Sequence, residues 1–438
     1  MRKTIVLGVV LLLIQIPLIA LVLVQEITWG GPDADLASDV AVASDGSVYL
    51  TGVTRSFGRG DEDAFLLKFA PNGSLVWQRT YGTAADLTSS GSESGQGVAV
   101  AADGSVYVTG NYRDGNVFLV KFNASGVLQW QRTWGDNGNG AGGVAVGADG
   151  SVYVAGVTFT FDPGGQGDVF LLKFSADGRL QWQRTWGGTG FDVGHDVAIG
   201  SDGGIYVAGD TNSFFANDAF LVKFSPAGAV LWERDWAIFA QDGVTAGLTD
   251  VFGVGTAADG SVYVTGNSTA AGFLENIVLV KFDATGAVVW ERVGGPGFGT
   301  GIDVAVGSDG NVHVTGNLLL ESAGCCGSAA FVWTFLSDGK TAGAAIWKGS
   351  DLERASGQSI AVAPGGTLVV AGSAEAPPYT FDRAGKNAKA PNALLVTPVG
   401  TVTTPPGRVT RASGVVNTPA GSLVFAGATD AALLRMQP

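Results

Sequence analysis

After residue 25 the chain is written in short apolar runs that alternate branched and small residues or carry aromatics, each closed by a polar turn or a glycine. No stretch there keeps a helical period. One run, seen as Val40-Ala41-Val42, Val144-Ala145-Val146, Val197-Ala198-Ile199 and Val304-Ala305-Val306, precedes a tight turn, and Val48-Tyr49-Leu50-Thr51-Gly52 or Val106-Tyr107-Val108-Thr109-Gly110 follows it. β-branched and aromatic residues ended by glycine predict strands, here A and B. A third run, such as Phe65-Leu66-Leu67-Lys68-Phe69 or Phe220-Leu221-Val222-Lys223-Phe224, predicts strand C. A second turn then leads to Trp77-Gln78-Arg79-Thr80-Tyr81-Gly82 and its copies from Trp130 and Trp182, which predict strand D.

The turns set the repeat. Asp45-Gly46-Ser47 recurs at Asp103, Asp149, Asp202, Asp259 and Asp309, with weaker copies at Gly365-Gly366-Thr367 and Ala420-Gly421-Ser422. An Asp-Gly pair suits a hairpin because glycine takes positive φ without steric cost. Eight units of four antiparallel strands predict an all-β, eight-bladed β-propeller, with seven blades as the alternative where the pattern decays after Leu318. Small residues of strand A belong at the crowded axis. Trp77, Trp130, Trp182, Trp232, Trp290 and Trp347 belong further out, between blades, where each buried side chain is worth roughly 1.5 to 3 kcal/mol. The last unit ends in a strand C, Ala431 to Met436, with no strand D after it. The missing strand stands at the other end, where Glu26-Ile27-Thr28-Trp29-Gly30 aligns Trp29 with Tyr81, Trp134, Trp186 and Trp236, and the alignment extends it back into Leu21 to Val24. The N-terminal strand is therefore expected to complete the C-terminal blade and to leave no open sheet edge there.

Ahead of it, Met1-Arg2-Lys3 and the apolar run Thr4 to Val24, interrupted by Gln15 and Pro17, read as a signal peptide or signal anchor over residues 1–24, in hydrophobic helical form. It is long enough to span a bilayer. Because the closing strand reaches back into Leu21 to Val24, either the signal is cut near Ala20 or the anchor runs almost directly into the blade. Residues 25–438 form a single propeller domain. The expected location is extracytoplasmic, secreted or held to the membrane by this segment if it stays uncleaved.

Composition narrows the function classes. With 68 glycines, 46% hydrophobic residues and 15% charged ones, the 438 residues can fold fully. A net charge of -14 argues against nucleic acid as a partner.

The units resemble the SBBP-type bacterial and archaeal β-propeller repeat, through Val40 to Gly52, Asp63 to Phe69 and Leu75 to Gly82. That resemblance implies a secreted or cell-surface repeat protein without an assigned reaction. Phe282-Asp283-Ala284-Thr285-Gly286-Ala287-Val288-Val289-Trp290 is also similar to the repeat of quinoprotein propellers, whose alcohol dehydrogenases carry a vicinal disulfide as Cys325-Cys326 could. No Glu, Asn and Asp set here matches their calcium site.

Candidate chemistry is sparse. The residue leading strand C reads Asp63, Asn116, Asp168, Asp218, Asn276, Ser328, Asn392 and Asp430, which fits a local cap accepting backbone N–H groups rather than a ring of metal ligands. Calcium could sit at Asp33, Asp35 and Asp39 or at Asp61, Glu62 and Asp63, although solvated loop acids explain both runs. His195 and His313 are too few for a multi-histidine zinc site. Cys325 and Cys326, in a loop between strands B and C, form a vicinal disulfide if that loop faces an oxidising compartment, or else remain free thiols or cross-link to another molecule. The B–C and D–A loops vary on one face, the usual carrier of recognition. The longest, Ser373 to Pro391, offers Arg383, Lys386 and Lys389 to an anionic group. The expected function is a non-catalytic scaffold, without cofactor, binding a protein or glycan at the cell surface. The alternatives are a structural envelope component and a quinoprotein-like or hydrolytic enzyme.

Overall fold

The computed structural model describes residues 22–437 except 32, 59–61, 83–91, 136–137, 161–165, 214–217, 237–248, 270–275, 296–297, 323–324, 350–354, 376–393, 399–415, 419–420 and 424–428. Blade 1 consists of Asp35–Val42, Val48–Thr54, Asp63–Phe69 and Leu75–Tyr81, strands A to D, paired antiparallel in that order. The same order repeats over 93–134, 140–186, 192–236 and 249–293 as blades 2 to 5. Blade 6 is Gly299–Val306, Val312–Ser322, Cys325–Phe335 and Thr341–Gly349. Blade 7 takes A and B from Ala355–Val362 and Leu368–Glu375, C from Thr429–Gln437 and D from Val22–Trp29. The chain is thus an all-β propeller. Six sheets are four-stranded, and blade 6 carries Leu394–Pro398 as a fifth strand on the edge of its strand D.

Strands A pack on one another in sequence around the axis, and Ala355–Val362 touches both Gly299–Val306 and Asp35–Val42, closing the ring. The core is not central. Apolar clusters lie at the junctions, as where Tyr49, Ala64 and Leu66 of blade 1 meet Val98, Val106, Phe118 and Phe122 of blade 2, or Trp29, Val369 and Ala371 of blade 7 meet Val40, Leu50, Phe65 and Phe69. Each A–B turn is a hairpin in which Gly46 N–H reaches the Ala43 carbonyl at 2.9 Å with φ at 80°. Asp45 Oδ1 accepts Ser47 N–H at 2.8 Å, which explains the Asp-Gly-Ser signature.

Eight blades do not form. The Ala420-Gly421-Ser422 turn makes only a two-stranded hairpin, Val416–Thr418 with Gly421–Leu423, that joins no blade. Leu394–Pro398, expected as strand C of a seventh unit, instead extends blade 6. That leaves Thr429–Gln437 to pair with Leu368–Glu375. Closure by the N-terminal strand does occur, with Trp29 opposite Ala431. Val22 to Val24, read both as the end of the hydrophobic segment and as the start of the closing strand, belong to that strand; residues 1–21 lie outside the described part. Among the described residues no helix is long and apolar enough to cross a membrane.

Trp347 is also relocated. Trp77 pairs with Lys68, whereas Trp347 pairs with Ala330 just as Tyr81 pairs with Ala64, so it belongs to the series of Tyr81 and Trp29. The place of Trp77 in blade 6 is taken by Gly343.

Candidate functional site

The two faces of the ring have different duties. On the tight-turn face each of blades 1 to 5 is latched to the next. Trp77 Nε1–H donates to the Ala124 carbonyl at 3.2 Å, Arg79 Nε–H to the Gly126 carbonyl at 2.7 Å and Lys68 Nζ to the Ala124 carbonyl at 3.2 Å. Trp130, Trp182, Trp232 and Trp290 repeat the indole bond, and Arg132, Arg184, Arg234 and Arg292 the guanidinium bond. Each arginine also covers its tryptophan at 5.1 to 5.4 Å, and each lysine covers a strand B tyrosine at 5.1 to 5.3 Å. Gly126 must stay bare there, because its φ is +74° and a Cβ would meet the Trp77 ring at 2.9 Å.

On the long-loop face the acids expected as calcium ligands are dispersed. Asp33 is exposed, Asp35 is fully buried and Asp39 lies near the axis. Asp35 accepts Gly31 N–H and the Ser56 hydroxyl, both at 2.7 Å, and the Thr54 hydroxyl. Asp192 repeats this nest with Gly188 N–H, Ser213 and Thr211. These carboxylates tie the end of one blade to the start of the next, so Asp35 is not a solvated loop acid. Asp61 is outside the described residues, Glu62 is paired with Arg55 at 2.5 Å and Asp63 is buried. Among the described residues no three His, Cys, Asp or Glu side chains gather as metal ligands.

Asp63, Asp168 and Asp218 are buried at the head of strand C. Asp63 and Asp168 lie under Gly82 and Gly187, where an added Cβ would come within 1.9 and 2.3 Å of a carboxylate oxygen. Burial, and then Asp235, raise the Asp218 carboxyl. In blade 6 the matching place is held by Ala329, opposite Leu318, so Ser328 lies one residue outside the series. Asn392 is outside the described residues.

Nearest the axis every strand A has a register shift, and a residue in it or directly after it forms a ring: Asp39, Gly97, Gly143, Asp196, Gly253, Asp303 and Ser359. Each aspartate bridges two blades. Asp39 accepts Val40 N–H and, from blade 2, Val98 N–H, each at 2.7 Å. Asp196 does the same with Val197 and Val254, and Asp303 with Val304 and Ile360. The glycines make room for this ring, since a Cβ on Gly143 would fall 2.3 Å from Asp196 Oδ1. Loss of hydration by burial, reinforced by Asp303, pushes the Asp39 carboxyl up to about 7. Burial and then Asp303 push Asp196 well above its ordinary value, and burial raises Asp303.

A pair that the sequence reading missed lies one layer away. His195 Nε2 is 2.7 Å from Asp210 Oδ2, Asp210 Oδ1 accepts Val251 N–H at 2.7 Å, and the imidazole packs on Phe252 at 5.2 Å. Asp210 stands where other blades have Val53, Asn111 or Val157, a departure visible in the repeat. His313, in contrast, is core: it is 3% exposed and 3.0 Å from the Thr334 hydroxyl, and burial pushes it down to about 4.

A cleft of roughly 820 Å³ opens on the long-loop face between blades 1 and 2. Arg55, Glu62, Glu93, Asn111 and Arg113 line it, with Asp33, Tyr112 and nearby serines completing the wall. Arg383, Lys386 and Lys389, the expected contact site, lie outside the described residues. Cys325 and Cys326 head strand C of blade 6, opposite Ser322 and Glu321, so strand pairing runs where a loop was expected.

No family model matches this chain, and no curated protein does. Among solved structures, the β-propeller domain of the Trilobed protease from Pyrococcus furiosus is similar at 9% identity and a TM-score of 0.45, over 79% of this chain and 90% of that one. A gluconolactonase from Xanthomonas campestris is similar at 14% identity and a TM-score of 0.36, over 80% and 86%. A protein of unknown function from Bacteroides caccae has the same identity and TM-score over 59% and 81%. The propeller assignment rests on the ring of sheets in this chain itself.

Proposed function

We propose that this chain is a non-catalytic binding propeller outside the cytoplasm, which holds a protein or glycan partner on its long-loop face. The cleft between blades 1 and 2 carries this reading, because it sets charges of both signs and hydrogen-bonding groups on a rigid frame whose opposite face is occupied by latches. The basic and apolar start of the chain supports export, and the SBBP-type character of the repeats supports a surface role. The test is capture of envelope proteins and glycans by the exported domain, compared with Arg113→Ala, Glu93→Gln and a form lacking 376–391; Ser373 to Glu375, expected as the start of that loop, belong to strand B of blade 7 and are kept. Loss of a captured partner in the cleft variants supports the reading. Unchanged capture in all three would move the contact elsewhere, and no capture at all would favour a structural envelope component.

One observation favours a second, hydrolytic reading. The Asp210 carboxylate orients His195 much as a general base is held. Hydrolysis of any ester or lactone by the exported domain that vanishes in His195→Gln would favour it.

A further inference from the structure

Ser359 is a place in the axial ring where one hydroxyl meets two carboxyls. Its Oγ lies 2.6 Å from Asp39 Oδ1 of blade 1 and 2.8 Å from Asp303 Oδ2 of blade 6. A hydroxyl has one proton to donate. At one of the two contacts, therefore, oxygen lone pairs face each other unless the carboxyl there is itself protonated and donates to Ser359. The other bonds of the two acids do not relieve this, since Val40, Val98, Val304 and Ile360 supply only N–H groups already engaged with them. The titratable group facing the pair across the ring is Asp196, itself raised by burial; strands A of blades 2, 3 and 5 present Gly97, Gly143 and Gly253, and among the described residues neither acid of the pair has a salt bridge.

The position of this triad gives it a task. Blades 1 to 5 are fastened forward by the Trp–Arg latch, but blade 6 has Gly343 and Ala345 where Trp77 and Arg79 stand, and the closing strand has Gln25 in the place of the tryptophan. Blade 7, built from both ends of the described chain, thus lacks that latch on both sides. Ser359 reaches both of its neighbours.

We propose that Asp39, Ser359 and Asp303 form a proton-holding clasp: one proton beyond the serine's own is bound at the Asp39 contact, and it fastens blade 7 to blades 1 and 6. When it leaves, two carboxylates compete for one donor and the closing blade loosens. The raised affinity of Asp39 for a proton agrees with this.

The intact protein is examined by infrared difference spectroscopy and by hydrogen–deuterium exchange between about pH 5 and pH 9. The expected result is a protonated-carboxyl band that titrates near pH 7, apart from any carried by the raised Asp196, and that is lost in Asp39→Asn but kept in Asp196→Asn. Exchange in 355–362, corrected for its intrinsic pH dependence, should rise several-fold over the same interval relative to 262–268, and Asp39→Asn should abolish this step. If Asp39→Asn does not fold, Ser359→Ala serves instead and should move the band's titration to higher pH, because the hydroxyl is, among the described residues, the one side-chain donor that the ionised Asp39 has. Absence of the band at neutral pH, its loss in Asp196→Asn alone, or an unchanged titration in Ser359→Ala would overturn the proposal.

Discussion

The Trp29 indole N–H donates to the Gln78 side chain at 3.1 Å, joining two residues 49 positions apart. The bond is one of a series, for Trp134 meets Gln183 at 3.1 Å and Trp186 meets Glu233 at 2.8 Å. The strand from the N-terminus is therefore keyed to blade 1 by one of the two devices that join consecutive blades, the indole bond, while the Trp–Arg latch is missing there.

Trp29 is 2% exposed and touches Phe57 and Phe65 at 5.1 and 4.7 Å. Trp29→Ala should cost about 3 to 5 kcal/mol by cavity formation, whereas Gln78→Ala should cost about 0.5 to 1.5 kcal/mol. Urea unfolding midpoints separate the two, and equal losses would show that the indole's packing is not what holds the seam.

Arg184 takes the Gly228 carbonyl through Nε at 2.8 Å and covers Trp182 at 5.2 Å. Lysine keeps the charge but not the planar fork, so Arg184→Lys should lose most of what Arg184→Ala loses. A double-mutant cycle with Trp182→Ala should return a coupling of about 0.5 to 1 kcal/mol, as for half-exposed cation–π pairs.

At two neighbouring junctions side-chain sizes are matched. A Cβ on Gly301 would lie 2.2 Å from the Thr265 hydroxyl, while the next junction back has Ala208 with room for Val251. Gly301→Ala should therefore destabilise by about 1 to 3 kcal/mol, and adding Thr265→Ala should recover part of that loss. Thermal melting of the two singles and the double would expose strict additivity, the result that contradicts the match.

Two buried groups give opposite pH slopes. Asp39 holds a proton in the fold up to about 7, while the unfolded chain releases it near 3.8, so its contribution is intact at low pH and declines as pH rises through that window. His313 is neutral in the fold down to about 4 but charges near 6.5 when unfolded, so its penalty grows as pH falls from 6.5 to 4. The acid-side loss should reach about 3 kcal/mol and be absent in His313→Tyr, which restores the residue found at Tyr49 and Tyr263. Melting temperature against pH for the two proteins measures it.

Strand identity was legible because each strand carries its own period and each hairpin its glycine. The ring closure was legible in Trp29. Blade number was not, because it is set by how many strands A fit around the Asp39 to Ser359 ring, and the Ala420-Gly421-Ser422 hairpin has nothing to contribute to that ring. Trp347 misled because blade 6 keeps one tryptophan in strand D where blades 1 to 4 have two aromatics; its spacing from Gly339 equals that of Tyr81 from Gly73, not that of Trp77. The His195–Asp210 pair was hidden in residues that depart from the repeat, which a reading for likeness passes over. Asp35 looked solvated since sequence does not reveal that Gly31, Thr54 and Ser56 converge on it.

Strand order also dictates a schedule of assembly. Blades 1 to 5 are each contiguous in sequence and can form one after another as the chain is made, but Val22–Trp29 is produced first and its partner Thr429–Gln437 only after every other strand. Throughout synthesis that earliest strand must wait with its hydrogen-bonding edge unsatisfied. The interval before the final strand arrives is when the nascent protein is most open to joining a second copy of itself.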